Sequence, residues 1–251
     1  MSEIFGVRVA PGSPLTAPIT TVDAVVIAAM EEEIAPFEQR ADHIATQRHV
    51  GASRSVIARI GGRSVLLIRS GIGGVNAATA AVLAIHAVRT PVVISAGSAG
   101  GLGNGVRVGD VVVGDEYAFA GADASAFGYV PGQIPGMPPT YPASPALVER
   151  ARHRPGVLVG AMVSGDSFVD ARTVDVFRER FPRALTADME TAAIAQVCYS
   201  FGIPYVAVRG VSDLCGPTAG EDFHLAVDDV AVLSADVTLD LIDVPAAVLQ
   251  G

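Results

Sequence analysis

Short apolar runs rich in valine and isoleucine recur along the chain, and longer alanine-rich stretches lie between them. Continuous apolar runs of this kind are typical of strands that are buried on both faces of a sheet. The runs predicted to be strands are Ala24–Ala29, Val65–Ile68, Val92–Ile94, Val111–Val113, Val157–Val163 and Tyr205–Val208. The stretches predicted to be helical are Val75–Val88, Thr191–Phe201 and Leu225–Leu249. The pattern predicts a single α/β domain with a central mixed, mostly parallel β-sheet flanked by helices.

A proline-rich segment, Gly128–Pro145, interrupts the alternation of strands and helices. Its six prolines lack the backbone N–H that sheet and helix hydrogen bonds require. Long loops inside compact domains are usually functional or disordered, and this one begins beside the apolar residues Phe127 and Tyr129. Two interpretations stay open: the segment covers a site or contacts a second subunit, or it is an ordinary surface loop.

The first twenty residues contain several prolines and a single cation, Arg8. A signal peptide would begin with a basic region followed by an apolar stretch, and this segment does not have that order. We therefore expect residues 1–20 to form a flexible N-terminal extension and residues 21–251 to form the folded domain.

The composition argues against several classes of function. Half of the 251 residues are hydrophobic and 17% are charged, as is typical of a folded globular chain. The 17 basic and 26 acidic residues give a formal charge of −9 without a basic cluster, so we expect no nucleic-acid binding. No apolar run reaches the roughly 20 residues of a membrane span, so we expect no membrane insertion.

The cysteines and histidines show no metal-binding pattern. Cys198 and Cys215 lack the spacing of metal ligands, and the five histidines form no pair at i, i+4 spacing. We therefore expect no metal site, and we expect reduced thiols in a cytoplasmic protein.

Polar residues lie at four strand ends, three of them at the ends of strands named above, and this feature points to function. In open α/β sheets, ligands bind in the crevice beyond the carboxyl ends of the strands. The first strand ends at three glutamates, Glu31–Glu33. Two acidic residues are favourable at a helix start, whereas the third could turn inward and bind a water molecule. A later strand leads into Ser95–Gly101, whose small residues let backbone amides approach a ligand and leave Ser98 exposed.

Asp188 and Glu190 lie two residues apart at another strand end, so on an extended backbone both would project from one face. Their carboxylates could accept hydrogen bonds from the two hydroxyls of a ribose. Alternatively, either residue could cap the following helix, a role that suits Asp188 better. After the last strand, Asp213 could protonate a ring nitrogen if its surroundings raise its pKa. Arg209 could hold Glu33 and a water molecule, or form a structural ion pair.

With these strand ends in order, the chain resembles the 5′-methylthioadenosine/S-adenosylhomocysteine nucleosidases of the nucleoside phosphorylase/hydrolase superfamily. The matching segments are Ala29–Glu33, Ser70–Gly73, Gly97–Leu102, Val108–Val113, Ala126–Tyr129, Gly132–Gly136, Ser164–Asp166, Asp188–Glu190 and Arg209–Asp213. They keep the order of the family and extend over about residues 22–245. Each segment is weak alone, and their combination is highly specific.

The resemblance implies three catalytic carboxyl groups. Glu33 would bind and deprotonate the attacking water, aided by Ser98 and Arg209. Glu190 would bind the ribose hydroxyls, and Asp213 would donate a proton to N7 of adenine.

The resemblance also implies a set of substrate-binding residues. They are Asp188 and Met189 at the ribose, Ser212 beside the proton donor, Phe168 and Val169 at the base, and Ile72 and Phe223 at the 5′ substituent. Phe127, Tyr129 and Pro135 would reach the pocket of a partner subunit, which implies a homodimer. The chain departs from the usual family pattern at Asp188, where glutamate is common, and at Thr191, where alanine is common. It also departs over Leu214–Asp222, which would shape the 5′ pocket.

The implied reaction is hydrolysis of the N-glycosidic bond of 5′-methylthioadenosine, S-adenosylhomocysteine and 5′-deoxyadenosine. It releases adenine, uses no metal or organic cofactor, and would belong to the domain formed by residues 21–251. Three alternatives share the fold: a 6-amino-6-deoxyfutalosine nucleosidase, a phosphate-dependent nucleoside phosphorylase and a non-catalytic nucleoside-binding protein. Ser95 argues against phosphorolysis because phosphorylases carry an arginine there. The combination of Glu33, Glu190 and Asp213 argues against binding alone.

Overall fold

The computed structural model describes residues 2–4, 7–9, 20–45 and 47–249 of the chain. Its helices are α1 (Glu31–Gln39), α2 (Gly74–Ala87), α3 (Pro145–Arg152), α4 (Val174–Arg180), α5 (Thr191–Phe201), α6 (Ala219–Ile242) and α7 (Ala246–Leu249). Its strands are β1 (Ser2–Ile4), β2 (Val7–Val9), β3 (Thr20–Thr21), β4 (Ala24–Ala28), β5 (His43–Ile44), β6 (Arg48–Val50), β7 (Ser53–Ile60), β8 (Arg63–Arg69), β9 (Val88–Arg89), β10 (Val93–Gly101), β11 (Val111–Phe119), β12 (Tyr141–Pro142), β13 (Val157–Ser164), β14 (Ala184–Asp188) and β15 (Tyr205–Asp213).

An eleven-stranded mixed sheet forms the centre of the fold. β10 lies between β4 and β15 and is parallel to both, and β8 continues the parallel order beyond β4. On the other side the sheet closes on itself. β11, β13, β14, β10 and β15 pair in that order, and β15 pairs again with β11. This closure brings the ends of β10, β14 and β15 to one place, where the polar strand ends meet.

The predicted fold class, a single α/β domain with a central mixed sheet flanked by helices, is confirmed. All six predicted strands belong to the sheet. Their apolar side chains are mostly buried, except in β13, where the first five residues are half-buried or exposed. Every residue of β4 and of β15 is buried. Antiparallel pairings are more numerous than expected, since β7, β12 and the closing pairs all run antiparallel.

The predicted C-terminal helix begins earlier than expected and is divided in two. α6 starts at Ala219, six residues before Leu225, and ends at Ile242, after which α7 is a separate short helix. Glu221 and Asp222 lie in the first turn of α6, where acidic side chains favour helix formation. The Thr218 hydroxyl also donates a hydrogen bond to Asp222 at 2.8 Å.

The proline-rich segment contains little regular structure. A short 3₁₀ helix, Ser125–Phe127, precedes it, and β12 is its only strand. At the N-terminus, β1 and β2 pair with each other in antiparallel register. The rest of the predicted extension over residues 1–20 lies outside the described residues, apart from Thr20 in β3.

Helix α6 packs directly against the strands that carry the site. A Cβ at Gly210 would lie only 2.4 Å from the carbonyl oxygen of Val230, so this contact between helix and strand requires glycine. The hydroxyl of Ser234 donates to the carbonyl of Val208 at 3.1 Å and accepts the N–H of Gly97 at 3.2 Å. These contacts hold β10 and β15 in fixed register immediately before their polar ends.

Within the described ranges, no helix has both the length and the apolar character needed to cross a lipid bilayer. Nor does that part of the chain bring three or more histidine, cysteine, aspartate or glutamate side chains into an arrangement that would hold a metal ion.

Candidate active site

A cavity of about 380 Å³ lies at the carboxyl ends of β4, β10, β14 and β15. Most of the site residues predicted from the sequence line this cavity: Glu33, Ile72, Ser98, Phe168, Val169, Asp188, Met189, Glu190, Ser212, Asp213 and Phe223. Four predicted site residues do not line it: Arg209, Phe127, Tyr129 and Pro135. The three carboxyl groups expected to be catalytic therefore share one cavity.

Glu33 lies in the first turn of α1 and is 4% exposed. Its Oε2 accepts hydrogen bonds from the N–H groups of Ala29 and Met30 at 2.9 and 3.1 Å. Its Oε1 accepts hydrogen bonds from the N–H and the hydroxyl of Ser98, both at 2.8 Å. Of the three consecutive glutamates, the third thus turns inward and joins α1 to the end of β10. A Cβ at Gly97 would lie 2.6 Å from Oε1, so glycine is required for this approach.

Asp188 is the last residue of β14, and its carboxylate is buried among five donors. Oδ1 accepts hydrogen bonds from the Ser164 hydroxyl at 2.5 Å and from the N–H groups of Glu190 and Thr191 at 3.2 and 3.1 Å. Oδ2 accepts from Nε of Arg209 at 2.7 Å and from the Thr191 hydroxyl. Burial alone would raise the pKa of Asp188, but the charge of Arg209 and these donors outweigh it and hold the pKa below its usual range. Asp188 is therefore ionised, and it caps the start of α5.

Arg209 lies behind the cavity wall, and none of its hydrogen bonds is to Glu33. Besides Asp188, its guanidinium donates to the Ser95 hydroxyl at 2.7 Å and to the carbonyl of Val208 at 3.1 Å. A buried guanidinium needs a buried counter-charge, and Asp188 supplies it. Of the two interpretations of Arg209, these contacts match the structural ion pair. Its positive charge still acts at longer range on Glu33 and Glu190.

Glu190 lies at the N-cap of α5 and is 8% exposed. Its Oε1 accepts a hydrogen bond from the N–H of Gly73 at 2.7 Å. Burial, followed by the negative charges of Asp188 and Glu33, raises the pKa of Glu190 to about 8. Its carboxyl group is thus protonated at neutral pH when the cavity is empty, unlike that of Asp188 two residues earlier.

Asp213 ends β15 and is 1% exposed. Its Oδ1 accepts the N–H of Cys215 at 2.8 Å, and its Oδ2 lies 3.0 Å from the hydroxyl of Ser212. That hydroxyl also lies 3.3 Å from the carbonyl oxygen of Ala99, so its single proton can serve either acceptor. Burial raises the pKa of Asp213, although the Cys215 N–H and the Ser212 hydroxyl oppose the shift. A buried carboxyl group whose pKa is raised in this way is suited to act as a general acid.

The end of the cavity that opens to solvent is apolar. Ile72 and Phe168 are 52% and 48% exposed there. Phe168 lies edge-to-face with Phe223 at a centroid distance of 6.3 Å, and His224 lies beside Phe223 at 5.4 Å. Val169 lines the cavity and is buried. This end has room for an apolar group and for a longer substituent that reaches the solvent.

Phe127 and the two residues singled out within the proline-rich segment, Tyr129 and Pro135, do not line this cavity. Phe127 is 83% exposed, Pro135 is exposed and Tyr129 is half-buried. All three therefore lie outside the pocket of their own chain.

Several polar groups at the site were not singled out in the sequence. They are the N–H groups of Gly73 and Cys215, the hydroxyl of Ser164 and the imidazole of His224. Gly73 and Ser164 belong to segments that match the family, so a signal for them exists. Cys215 has none, because its contribution is a backbone N–H and its left-handed conformation, φ 55°, is not evident from the residue type.

The charge of the cavity limits what it can bind. Four carboxyl groups line it, Glu33, Asp188, Glu190 and Asp213, and the described lining includes no lysine or arginine. An anion such as phosphate requires nearby cations, whereas these side chains stabilise a substrate that becomes positively charged. The site therefore favours cleavage through a cationic transition state without an anionic co-substrate.

Known proteins place the chain in a family. The profile of the phosphorylase superfamily matches residues 23–243. A 5′-methylthioadenosine/S-adenosylhomocysteine nucleosidase of Geobacillus thermodenitrificans is 39% identical over 228 residues, which cover 88% of this chain and 96% of the relative. The nucleosidase of that name from Neisseria meningitidis, in complex with methylthio-immucillin-A, has a TM-score of 0.83 and 36% identity over 87% of this chain and 97% of its own. Futalosine hydrolase of Helicobacter pylori has a TM-score of 0.82 and 25% identity, covering 88% and 97%. The chain belongs to the phosphorylase superfamily and, within it, to the 5′-methylthioadenosine/S-adenosylhomocysteine nucleosidases.

Proposed function

We propose that the protein hydrolyses the N-glycosidic bond of 5′-methylthioadenosine and S-adenosylhomocysteine, releasing adenine and the 5-thioribose product, and that it also cleaves 5′-deoxyadenosine. The observation that carries the proposal is the convergence of Glu33, Glu190 and Asp213 on one cavity whose described lining has no lysine or arginine. Two relatives named as 5′-methylthioadenosine/S-adenosylhomocysteine nucleosidases support the same activity, and one of them is bound to the nucleoside analogue methylthio-immucillin-A.

Asp213 acts on the leaving group. Breaking the bond moves an electron pair onto the purine, and a proton at N7 makes adenine a better leaving group. Asp213 is suited to this transfer because burial of its carboxyl group raises its pKa. After transfer, the hydroxyl of Ser212 can turn from Ala99 toward the new carboxylate. General acid catalysis of this kind contributes about 10²–10⁴ in rate.

Glu190 acts on the ribose. As the bond breaks, the sugar becomes positively charged, and a carboxyl group at its hydroxyls stabilises that charge most in the transition state. The ionised Asp188 holds the backbone of Glu190 in place through a hydrogen bond of 3.2 Å. Met189, between them, lines the cavity at the same point.

Glu33 acts on the water. Its Oε1 is shared with Ser98 at the end of β10, where a water molecule could bind to both residues. The water oxygen attacks C1′ and its proton passes to Glu33, while the proton donated by Asp213 leaves with adenine. Arg209 contributes through its charge on Glu33 and through the ion pair with Asp188.

We further propose that the protein is a homodimer in which Phe127, Tyr129 and Pro135 complete the 5′ pocket of the partner. The support is the exposure of Phe127, at 83%, together with that of Ile72 in the cavity lining, at 52%. Sedimentation analysis tests the dimer, and a monomeric protein with full activity would contradict it. A cytoplasmic location stays a prediction from cysteine usage.

Adenine release with and without phosphate tests the reaction type. We expect the same rate in both conditions, and strict dependence on phosphate would identify a phosphorylase instead. Glu33→Gln and Asp213→Asn serve as controls, since undiminished activity in both would show that the assigned roles are wrong.

A 6-amino-6-deoxyfutalosine nucleosidase is the second candidate, and the similarity to futalosine hydrolase favours retaining it. The same catalytic residues would serve both reactions, so only the 5′ pocket distinguishes them. Comparing kcat/KM for 5′-methylthioadenosine, S-adenosylhomocysteine, 5′-deoxyadenosine and 6-amino-6-deoxyfutalosine decides between them. We expect one of the two thio-nucleosides to be the best substrate.

A further inference from the structure

The segment Ser164–Gly165–Asp166 has no part in the chemistry described above, although it lies beside the ribose-binding residue. The hydroxyl of Ser164 donates to Asp188 at 2.5 Å and accepts the N–H of Ala192, in the first turn of α5, at 2.9 Å. Two residues later, Oδ1 of Asp166 accepts the N–H of Gly74, at the start of α2, at 2.9 Å. The segment therefore contacts the beginnings of both helices that meet at Glu190.

Two neighbouring amides at the start of α2 hold two carboxyl groups. The N–H of Gly73 binds Oε1 of Glu190 at 2.7 Å, and the next N–H, of Gly74, binds Asp166. The N–H of Gly74 belongs to the planar peptide that begins at the Cα of Gly73, so displacing Gly74 would shift the Cα of Gly73 and, through it, the adjoining N–H. The hydrogen bond to Glu190 thus depends on where Asp166 holds the loop.

The loop before α2 needs such an anchor. Gly71 and Gly73 have φ values of +85° and +99°, which glycine adopts without steric strain. Glycine also loses more conformational entropy on folding than any other residue, so ordering this loop is costly. Backbone hydrogen bonds from Ser70 and Gly71 to the end of β4 fix the beginning of the loop. Asp166, which lies 92 residues from Gly74 in the sequence, fixes the end of the loop through its hydrogen bond with the Gly74 N–H.

We propose that Asp166 is a positioning residue for the glycosidic cleavage, acting through the first amides of α2 on the ribose-binding carboxyl group of Glu190. The inference rests on the proposed function of Glu190. Asp166 is exposed and does not line the cavity, so it does not touch the substrate. Its removal affects the interaction with the ribose hydroxyls and leaves the adenine contacts at Asp213 unchanged.

The test compares Asp166→Ala with Asp166→Asn, whose amide oxygen can still accept the Gly74 N–H. Asp175→Ala is the control, because Asp175 is an acidic residue of the nearby α4 that is 94% exposed. The readout is the ratio of kcat/KM for 5′-methylthioadenosine to kcat/KM for its 2′-deoxy analogue. This ratio does not depend on the fraction of folded enzyme, so a loss of stability alone would not change it.

We expect Asp166→Ala to lower the ratio about three- to tenfold, as for the loss of one hydrogen bond. Asp166→Asn and Asp175→Ala should stay within about twofold of the wild type. An unchanged ratio in Asp166→Ala, or an equal fall in the control, overturns the proposal. Cleavage of 5′-methylthioadenosine by the wild type tests the proposed function separately. If cleavage is absent, the ratio of the two nucleosides' dissociation constants gives the same comparison without turnover.

Discussion

Replacing Gly97 with alanine tests whether the position of Glu33 controls catalysis. The new Cβ would lie 2.6 Å from Oε1 and 2.8 Å from Cδ of Glu33, whereas ordinary contact begins at 3.4 Å. The carboxylate must therefore retreat by about 0.8 Å. The two hydrogen bonds from Ser98 to Oε1 of Glu33 are now 2.8 Å long. A retreat along their direction lengthens them to about 3.6 Å, a distance at which hydrogen bonds are lost.

The expected result is a large fall in kcat. Loss of a correctly placed general base costs about 10²–10⁴ in rate, and we expect Gly97→Ala to lose at least about 100-fold. Affinity for adenine should be unchanged, because Gly97 is not part of the cavity lining. A moderate loss of stability, about 1–3 kcal/mol, is also expected from the extra methyl group in a packed region.

The assay is adenine release under saturating 5′-methylthioadenosine, with thermal unfolding and adenine binding measured on the same samples. Gly121→Ala is the matched control, since a Cβ there meets no atom within 4 Å and its φ is not positive. The reasoning is refuted if folded Gly97→Ala keeps more than about a third of the wild-type kcat, since general-base loss should cost far more.

Three further predictions concern the other carboxyl groups. Asp213→Asn should lower kcat by about 10²–10⁴ while adenine binding is kept, and a smaller loss in single-turnover assays would contradict its role as the acid. The free energy of unfolding should fall as pH rises from 4.5 to about 8, because unfolded Glu190 ionises near 4.5 and the folded residue keeps its proton to about 8. Urea denaturation across this range should show a smaller decline in Glu190→Gln; equal declines would contradict the shift. Asp188→Asn should cost about 3–5 kcal/mol in urea denaturation, because it leaves the buried charge of Arg209 unpaired; an unchanged midpoint would contradict this.

The sequence was sufficient to predict where the candidate catalytic side chains meet. Val93–Gly101 begins with an apolar run and continues into serines and glycines, and Tyr205–Asp213 begins apolar and ends in polar residues, so both could be recognised as strands with functional ends. Parallel pairing of these strands then places Ser98 and Asp213 at the same edge of the sheet. Because the rule for strand ends is geometric, it did not require knowledge of the loops.

Hydrogen-bond partners were harder to predict than positions. Arg209 has three carboxyl groups within electrostatic range, Asp188, Glu33 and Glu190, and the sequence does not reveal which one its Nε reaches. The amide of Cys215 is equally hidden, since every residue but proline has an N–H and only the fold aims it. Tertiary geometry decides such contacts, and residue type does not.

Asp188 and Glu190 show how one short segment provides two different carboxyl groups. Both are buried, and burial alone would raise both pKa values. Asp188 receives a full positive charge from Arg209 and two hydroxyl donors, so its pKa falls, whereas Glu190 receives one amide hydrogen bond and feels the charge of Asp188. The ion pair therefore does more than support the fold, because the charge of Asp188 helps to keep Glu190 neutral in the empty site. In the proposed reaction, the positive charge that develops on the ribose is attracted more strongly to the carboxyl oxygens of Glu190 as the bond breaks, and no transfer of the Glu190 proton is required.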